Sequence, residues 1–239
     1  TLFRSDMAEL KKLFEELEFK TLIKRFFGES AKGPVPKQGS LFPDDSGQAS
    51  ADVSHETLPS AFLTAEGVKH EYKLAETPVQ RKQLLNELKK VEEFCFDTET
   101  TSLDIQSSRI VGIAFSYRAH TAWFVPLPED MEQAFSVMEE FRPVFEDKNI
   151  GKTGQNLKFD IRIINHYGIE VKGDLFDTMV AHYLIQPELR HNLTYLCEQY
   201  LNYKPISIET LIGKKGKGQL TMRHVSLDEI TEYAGEDAD

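Results

Sequence analysis

The sequence predicts an α/β domain, a mixed β-sheet with helices packed on it. Three observations carry that reading. The β-rich runs 94–98, 109–117 and 121–127 follow one another with short polar links, the spacing of an antiparallel meander. Helical patterns alternate with strand patterns after the meander, which requires helices to cover the sheet. A length of 239 residues, 40% of them apolar and 28% charged, suffices for one full core plus an appendage.

Taken in order, residues 6–27 read as an amphipathic helix, with Leu10, Leu13, Phe14, Leu17 and Leu22 at helical spacing. Residues 28–66 lose all periodicity and gather Gly, Pro, Ser and Asp, the composition of a flexible linker. The compact domain is expected from residue 67, opening with a short strand at 68–74. A helix over 78–90 carries Leu84, Leu85, Leu88 and Val91 as its stripe. After the meander come a helix at 131–145 and a short strand at 149–153. Helices then follow at 157–167, 178–186, 193–201 and 227–239. Ser226 and Glu229 form a capping-box pattern that starts the last one. Asn156 is placed to cap the helix that begins at 157.

Composition excludes some classes. No run approaches the roughly 18 apolar residues of a membrane span, and the first residues have no secretory pattern. Cys95 and Cys197 alone need no disulfide framework, which fits a reducing cytosol. The chain lacks an initiator Met, so a piece of a longer protein is expected. A net charge of −11 argues against a non-specific nucleic-acid coat. Locally, however, Lys204, Lys214, Lys215, Lys217 and Arg223 face only Glu209 across 203–223. That strip would attract a phosphate backbone. From charge alone it reads equally as a solvated loop.

The chemistry lies in scattered acids. Asp97 and Glu99 are two apart on a strand and share a face with Cys95, while Phe94 and Phe96 take the other. Tyr233 and Asp237 are four apart on a helix and point the same way. Asp160 sits one turn into the helix after Asn156. Two carboxylates ~4 Å apart repel by ~4 kcal/mol at an effective dielectric near 20. A divalent cation with oxygen ligands removes that penalty. Singly, each pattern has a plainer reading: a capped loop, a core tyrosine beside a surface acid, an N-cap. Jointly they are far more specific.

In that order, Asp97-x-Glu99, Asn156-x-x-x-Asp160 and Tyr233-x-x-x-Asp237 resemble the three exonuclease motifs of the DEDDy superfamily. Residues 67–239 look like the proofreading 3′–5′ exonuclease domain of bacterial family A DNA polymerases. The wording of 96–104, 154–160, 175–179, Arg190-His191 and 233–239 carries that likeness. Residues 1–27 resemble the helical tail of the 5′-nuclease domain that precedes it in such polymerases.

The resemblance implies a ribonuclease H-like fold with a five-stranded mixed sheet, and hydrolysis of phosphodiesters at DNA 3′ ends. It implies two divalent ions, Mg²⁺ with Mn²⁺ or Zn²⁺ able to substitute. Asp97, Glu99 and Asp237 would hold one; Asp97 would share the second with Asp160. Tyr233 would orient the attacking water. Thr98, Leu103 (as an apolar wedge), Asn156, Phe159 and Arg190 match positions near the bound strand. Ile208 stands where the family often has an aromatic. Implied partners are a single-stranded DNA 3′ end and a covalently linked polymerase domain, in a monomer of the bacterial cytoplasm with no membrane role. Only two residues follow Asp237, so the last helical turn is expected to fray. In the linker, Gln38, Leu41 and Phe42 resemble the Q-x-x-L-F peptide that docks on the sliding clamp. Two alternatives stay open: a catalytically silent spacer domain, and a free-standing RNA-trimming exonuclease of the same superfamily.

Overall fold

The computed structural model describes residues 7–16, 27, 62–216 and 218–239. The chain divides into two compact units, Thr1–Leu58 and Pro59–Asp239. In the first, helix α1 (Met7–Glu16) is described, with an exposed Lys11–Glu15 pair one turn apart. The rest of the expected 6–27 helix, apart from residue 27, lies outside the described residues, as do Gln38, Leu41 and Phe42.

The second unit is built on one mixed sheet. Its strands are β1 (Glu71–Leu74), β2 (Glu93–Thr100), β3 (Ile110–Arg118), β4 (Thr121–Pro126), β5 (Gly151–Gly154) and β6 (Leu175–Asp177). They stand in the order β1-β4-β3-β2-β5-β6. The meander β2-β3-β4 is antiparallel, and β1, β5 and β6 join it in parallel. Among the described residues the sheet has six strands rather than five. The added one, β6, has three residues and two of them are exposed, so it shows no alternation for sequence to reveal.

Helices cover both faces. On one lie α2 (Pro78–Leu88), α3 (Met131–Phe145) and α4 (Leu157–Asn165), whose apolar sides join Phe94, Phe96, Ile113 and Phe115 in the main core. Each buried Phe or Leu contributes roughly 1.5–3 kcal/mol of transfer free energy. On the other face helix α8 (Leu227–Ala238) packs through Ile230, Ala234 and Ala238 onto Val111, Ala114 and Phe124. Close approach is possible because the facing surfaces are small. A Cβ on Gly235 would lie 2.8 Å from the Tyr72 ring, and one on Gly112 would overlap Phe124. Remaining helices are α5 (Thr178–Ile185), α6 (Leu193–Leu196) with a π-turn at Cys197–Leu201, and α7 (Ile208–Ile212).

Several boundaries differ from expectation. Leu63 already belongs to the domain: its N–H donates to the Asn202 carbonyl at 2.9 Å and its carbonyl accepts from Lys204 N at 2.9 Å. The ordered edge therefore starts before residue 67. Helix α8 does not fray at Asp237. Asp239 N donates to Gly235 O at 3.0 Å, and the Asp239 carboxylate accepts from Tyr72 Oη at 2.9 Å and His120 N at 2.6 Å. Ser226 caps α8 as expected, its hydroxyl oxygen accepting from Glu229 N at 3.3 Å. Asn156 precedes α4, but its side chain makes no cap; its backbone is left-handed, φ 62° and ψ 40°.

Candidate active site

Asp97, Cys95 and Glu99 project from β2 toward α8, while Phe94, Phe96 and Thr98 point into the main core. Opposite them on β3 stand Ala114, paired with Asp97, and Gly112, paired with Glu99. Small neighbours leave room above the acids, and α8 fills it with Tyr233 and Asp237. The result is a cluster in which Asp97, Glu99 and Asp237 each offer a carboxylate oxygen, all within 4.8 Å of one another.

Electrostatics follow from this crowding. Burial pushes the Asp97 carboxyl up to about 6. Glu99 is driven well above the usual carboxylate range by burial and then by Asp97, Asp237 and Asp160. Asp237 is raised by burial and by Asp97, against a hydrogen bond from Tyr233 that lowers it. Tyr233 is itself pushed far up, by burial first and then by Asp237, Glu99 and Asp97. It keeps its proton, and its hydroxyl lies beside the Asp237 carboxylate.

Asp160 arrives from the opposite layer, on α4. One of its oxygens accepts from both Thr98 N (3.2 Å) and Thr98 Oγ1 (2.5 Å). Burial and then Asp97 raise it to about 8, partly offset by those two bonds. Asp160 is thus beside the three-acid cluster rather than inside it, near enough for its charge and those of Asp97 and Glu99 to act on one another. Thr98, expected near DNA, is buried and spends both donors on Asp160. Leu103, expected to wedge beside a terminal base, is 88% exposed on the loop after β2. Arg190 is exposed, Asn156 is half-buried, Phe159 is half-buried against the main core, and Ile208 is partly exposed. Arg223 leaves the basic strip: its guanidinium donates to the carbonyls of Leu127, Ile110 and Pro128.

The donor set fits a hard divalent cation. Oxygens bound at about 2.0–2.6 Å from one ion lie at most ~4–5 Å apart, and this cluster spans 4.8 Å with oxygen donors alone. Carboxylates held above their ordinary pKa by burial and then by one another's charge are relieved by such an ion. Beside Asp237 a cavity of about 960 Å³ opens over β2, β5 and β6, walled mostly by apolar side chains of α5, α6 and the π-turn.

Sequence reasoning missed two residues that build the site. Glu236, next to Asp237, accepts from Tyr203 Oη at 2.5 Å and Ile206 N at 2.6 Å, tying the segment before Ile208 to α8. Asp177 caps α5 and also reaches the turn before α4. Both lie in stretches that carried the family likeness (175–179 and 233–239), but the partners that give them these roles, Asn156, Tyr203 and Ile206, are 21 to 33 residues away, so sequence assigned them none.

An α/β sheet of this order, with carboxylates from a central strand and the last helix gathered over one end of it and Asp160 brought alongside from α4, is the architecture and site of an exonuclease. The chain belongs to the 3′–5′ exonuclease family, whose model matches residues 72–239, and it is an exonuclease domain of the DNA polymerase I type. DNA polymerase I of Borreliella burgdorferi is 31% identical over 97% of this chain and 25% of its own length. That of Pseudomonas aeruginosa is 34% identical over 65% of this chain and 18% of its own length. The chain thus spans about a quarter or less of these two curated relatives. Among solved structures, Brucella melitensis NrnC shares the fold with TM-score 0.55 and 21% identity, over 71% of this chain and 75% of that one. Trypanosoma brucei RNase D gives TM-score 0.57 and 17% identity, over 71% of this chain and 61% of that one.

Proposed function

We propose that this domain removes nucleotides from the 3′ end of single-stranded DNA, as the proofreading part of a DNA polymerase I in a bacterial cytoplasm. Two divalent ions, Mg²⁺ foremost, serve the reaction. The observation that carries the reading is the meeting of Asp97, Glu99 and Asp237 within 4.8 Å, with Asp160 hydrogen-bonded to Thr98 next to Asp97. Those three would hold one ion, and Asp97 with Asp160 the second. When bound, the pair acidifies water and offsets charge on the scissile phosphate and leaving 3′ oxygen.

The chain's own residues do the rest. Tyr233 stays protonated beside Asp237 and Glu99, placed to orient the attacking water through its hydroxyl. A hydroxyl held protonated cannot act as the base. Leu103 wedges beside the terminal base, and Asn156, Phe159 and Arg190 line the strand's path. Grip by backbone and stacking accepts any base, as an editor must. Residues 1–27 read as the tail of an upstream 5′-nuclease domain, 28–66 as a linker, and Gln38, Leu41 and Phe42 within it as a clamp-docking peptide. Calorimetry of a 30–50 peptide with the sliding clamp tests that last point.

The second reading is RNA trimming, favoured by the fold likeness to T. brucei RNase D. Labelled single-stranded DNA and RNA, degraded side by side in Mg²⁺ and in EDTA, separate the two. We expect DNA to shorten from its 3′ end, EDTA to stop it, and Asp97→Ala to abolish it. Faster loss of RNA overturns the DNA reading. Inactivity of the unaltered chain toward both substrates leaves the silent spacer.

A further inference from the structure

The three-acid cluster is set by β2 and α8, but Asp160 depends on where α4 begins. That helix is launched by a turn at Gly154–Asn156 in which Asn156 adopts the left-handed backbone region, φ 62°. A residue with a Cβ enters that region at a cost, and asparagine is the non-glycine residue that tolerates it best. Something outside the turn must therefore hold it.

Asp177, at the junction of β6 and α5, does so. One of its carboxylate oxygens accepts three backbone N–H groups: Met179 at 2.9 Å, Val180 at 3.2 Å and, from across the sheet end, Asn156 at 3.0 Å. The first two bonds are ordinary capping of α5. The third is not local; it spans 21 residues of sequence. Its neighbour reinforces it. Thr178 Oγ1 donates to the Gly154 carbonyl at 3.2 Å and to the Gln155 side chain, whose Nε2 donates to His191 O at 2.6 Å. Gly154 in turn lies hard against the Phe96 carbonyl, where a Cβ would come within 2.9 Å. The latched turn therefore rests one residue from Asp97, and four residues beyond Asn156 the helix delivers Asp160 to Thr98.

We propose that Asp177 is a positioning residue for the exonuclease site. It cross-links the α5 cap to the turn that launches α4, and so fixes Asp160 relative to Asp97. The inference rests on the nuclease reading above only for its effect on rate. The cross-link itself is separately testable.

Two substitutions split the cap from the cross-link. Serine caps a helix as well as aspartate, but its oxygen sits one covalent bond nearer its own backbone and falls short of Asn156 N. Asparagine keeps an oxygen where the carboxylate had one. Amide hydrogen exchange on the 239-residue chain should show Asn156 N–H losing protection in Asp177→Ser. Met179 and Val180 should stay protected there, and all three should stay protected in Asp177→Asn. In Mg²⁺ with single-stranded DNA, Asp177→Ser should lose about 10- to 100-fold in kcat, the scale of an ångström-sized misplacement. KM and melting temperature should hold, and Asp177→Asn should retain at least half the rate. Unchanged Asn156 exchange in Asp177→Ser overturns the cross-link. A wild-type kcat with faster exchange overturns its role in positioning. Equal loss in both variants does the same. If the parent chain itself degrades no DNA, the nuclease reading fails while the exchange result still decides the cross-link.

Discussion

Thr98 gives both its backbone N–H and its hydroxyl to a single oxygen of Asp160, at 3.2 and 2.5 Å. The two residues lie 62 positions apart and on different layers, and their bond is what brings the α4 acid to the strand that carries Asp97. A hydrogen bond to a charged group contributes about 1.5–3 kcal/mol. Thr98→Val, which keeps the shape and deletes the hydroxyl, should therefore slow exonuclease turnover by about 10- to 100-fold. Steady-state rates on a labelled strand in Mg²⁺ measure it. A rate within twofold of the parent would mean that Asp160 needs no such anchor.

Tyr233→Phe should lower kcat by about 10- to 100-fold and leave the shape of the pH–rate profile unchanged, because the phenol does not ionise in the working range. Rates from pH 6 to 9.5 for both proteins check this. A vanished alkaline limb in the variant would make Tyr233 the titrating group.

Metal-free stability should fall as pH rises. Asp97 is raised to about 6 and Asp160 to about 8, both above their unfolded values near 3.9. Below pH 4 both states bind the proton and no penalty exists. Between pH 4 and 8 the unfolded chain ionises more readily than the folded one, so unfolding gains. Above pH 8 the penalty is complete. Asp97 alone gives on the order of 3 kcal/mol, at 1.36 kcal/mol per unit. Urea midpoints in EDTA should thus be lower at pH 8.5 than at pH 5.5, and Mg²⁺ should flatten the difference. An opposite slope without metal would contradict the burial of these acids in the folded chain.

Gly235→Ala should cost about 1–3 kcal/mol, since its methyl meets the Tyr72 ring at 2.8 Å from a rigid helix. Pushing α8 outward also parts Asp237 from β2, so Mn²⁺ affinity should drop with it. Urea unfolding and Mn²⁺ titration calorimetry report the two effects, and loss of stability with intact affinity would uncouple helix placement from the site.

Arg223→Ala should destabilise the fold by about 1–3 kcal/mol by leaving three carbonyls short of a donor. Affinity for single-stranded DNA should change less than twofold. A large loss of binding at unchanged stability would return Arg223 to the DNA-facing strip.

Local chemistry explains what was readable beforehand. Asp97 and Glu99 on one strand face, and Tyr233 and Asp237 on one helix face, are consequences of periods 2 and 3.6, so their mutual orientation was legible. So was the meander, because Val111, Ile113 and Phe115 sit in a run dense with strand formers. Long-range partners were not. Thr98 looked like a residue near substrate until Asp160 claimed its donors. Arg223 looked like a free cation until Leu127, Ile110 and Pro128 enclosed it. Asn156 carried the residue type of a cap, yet its left-handed backbone turned its side chain away from that task. Strand β6 escaped because a three-residue edge strand owes its existence to β5, not to its own side chains.

The glycines and alanines between α8 and the sheet have a wider bearing. Gly112, Ala114, Ala234 and Gly235 carry no ligand atom, yet they set how near the pair of carboxylates on β2 lies to the one on α8. The aperture offered to a cation is therefore a machining tolerance measured in methyl groups. Trading one buried methyl for a hydrogen there would shift the spacing of the carboxylates with every one of them left in place.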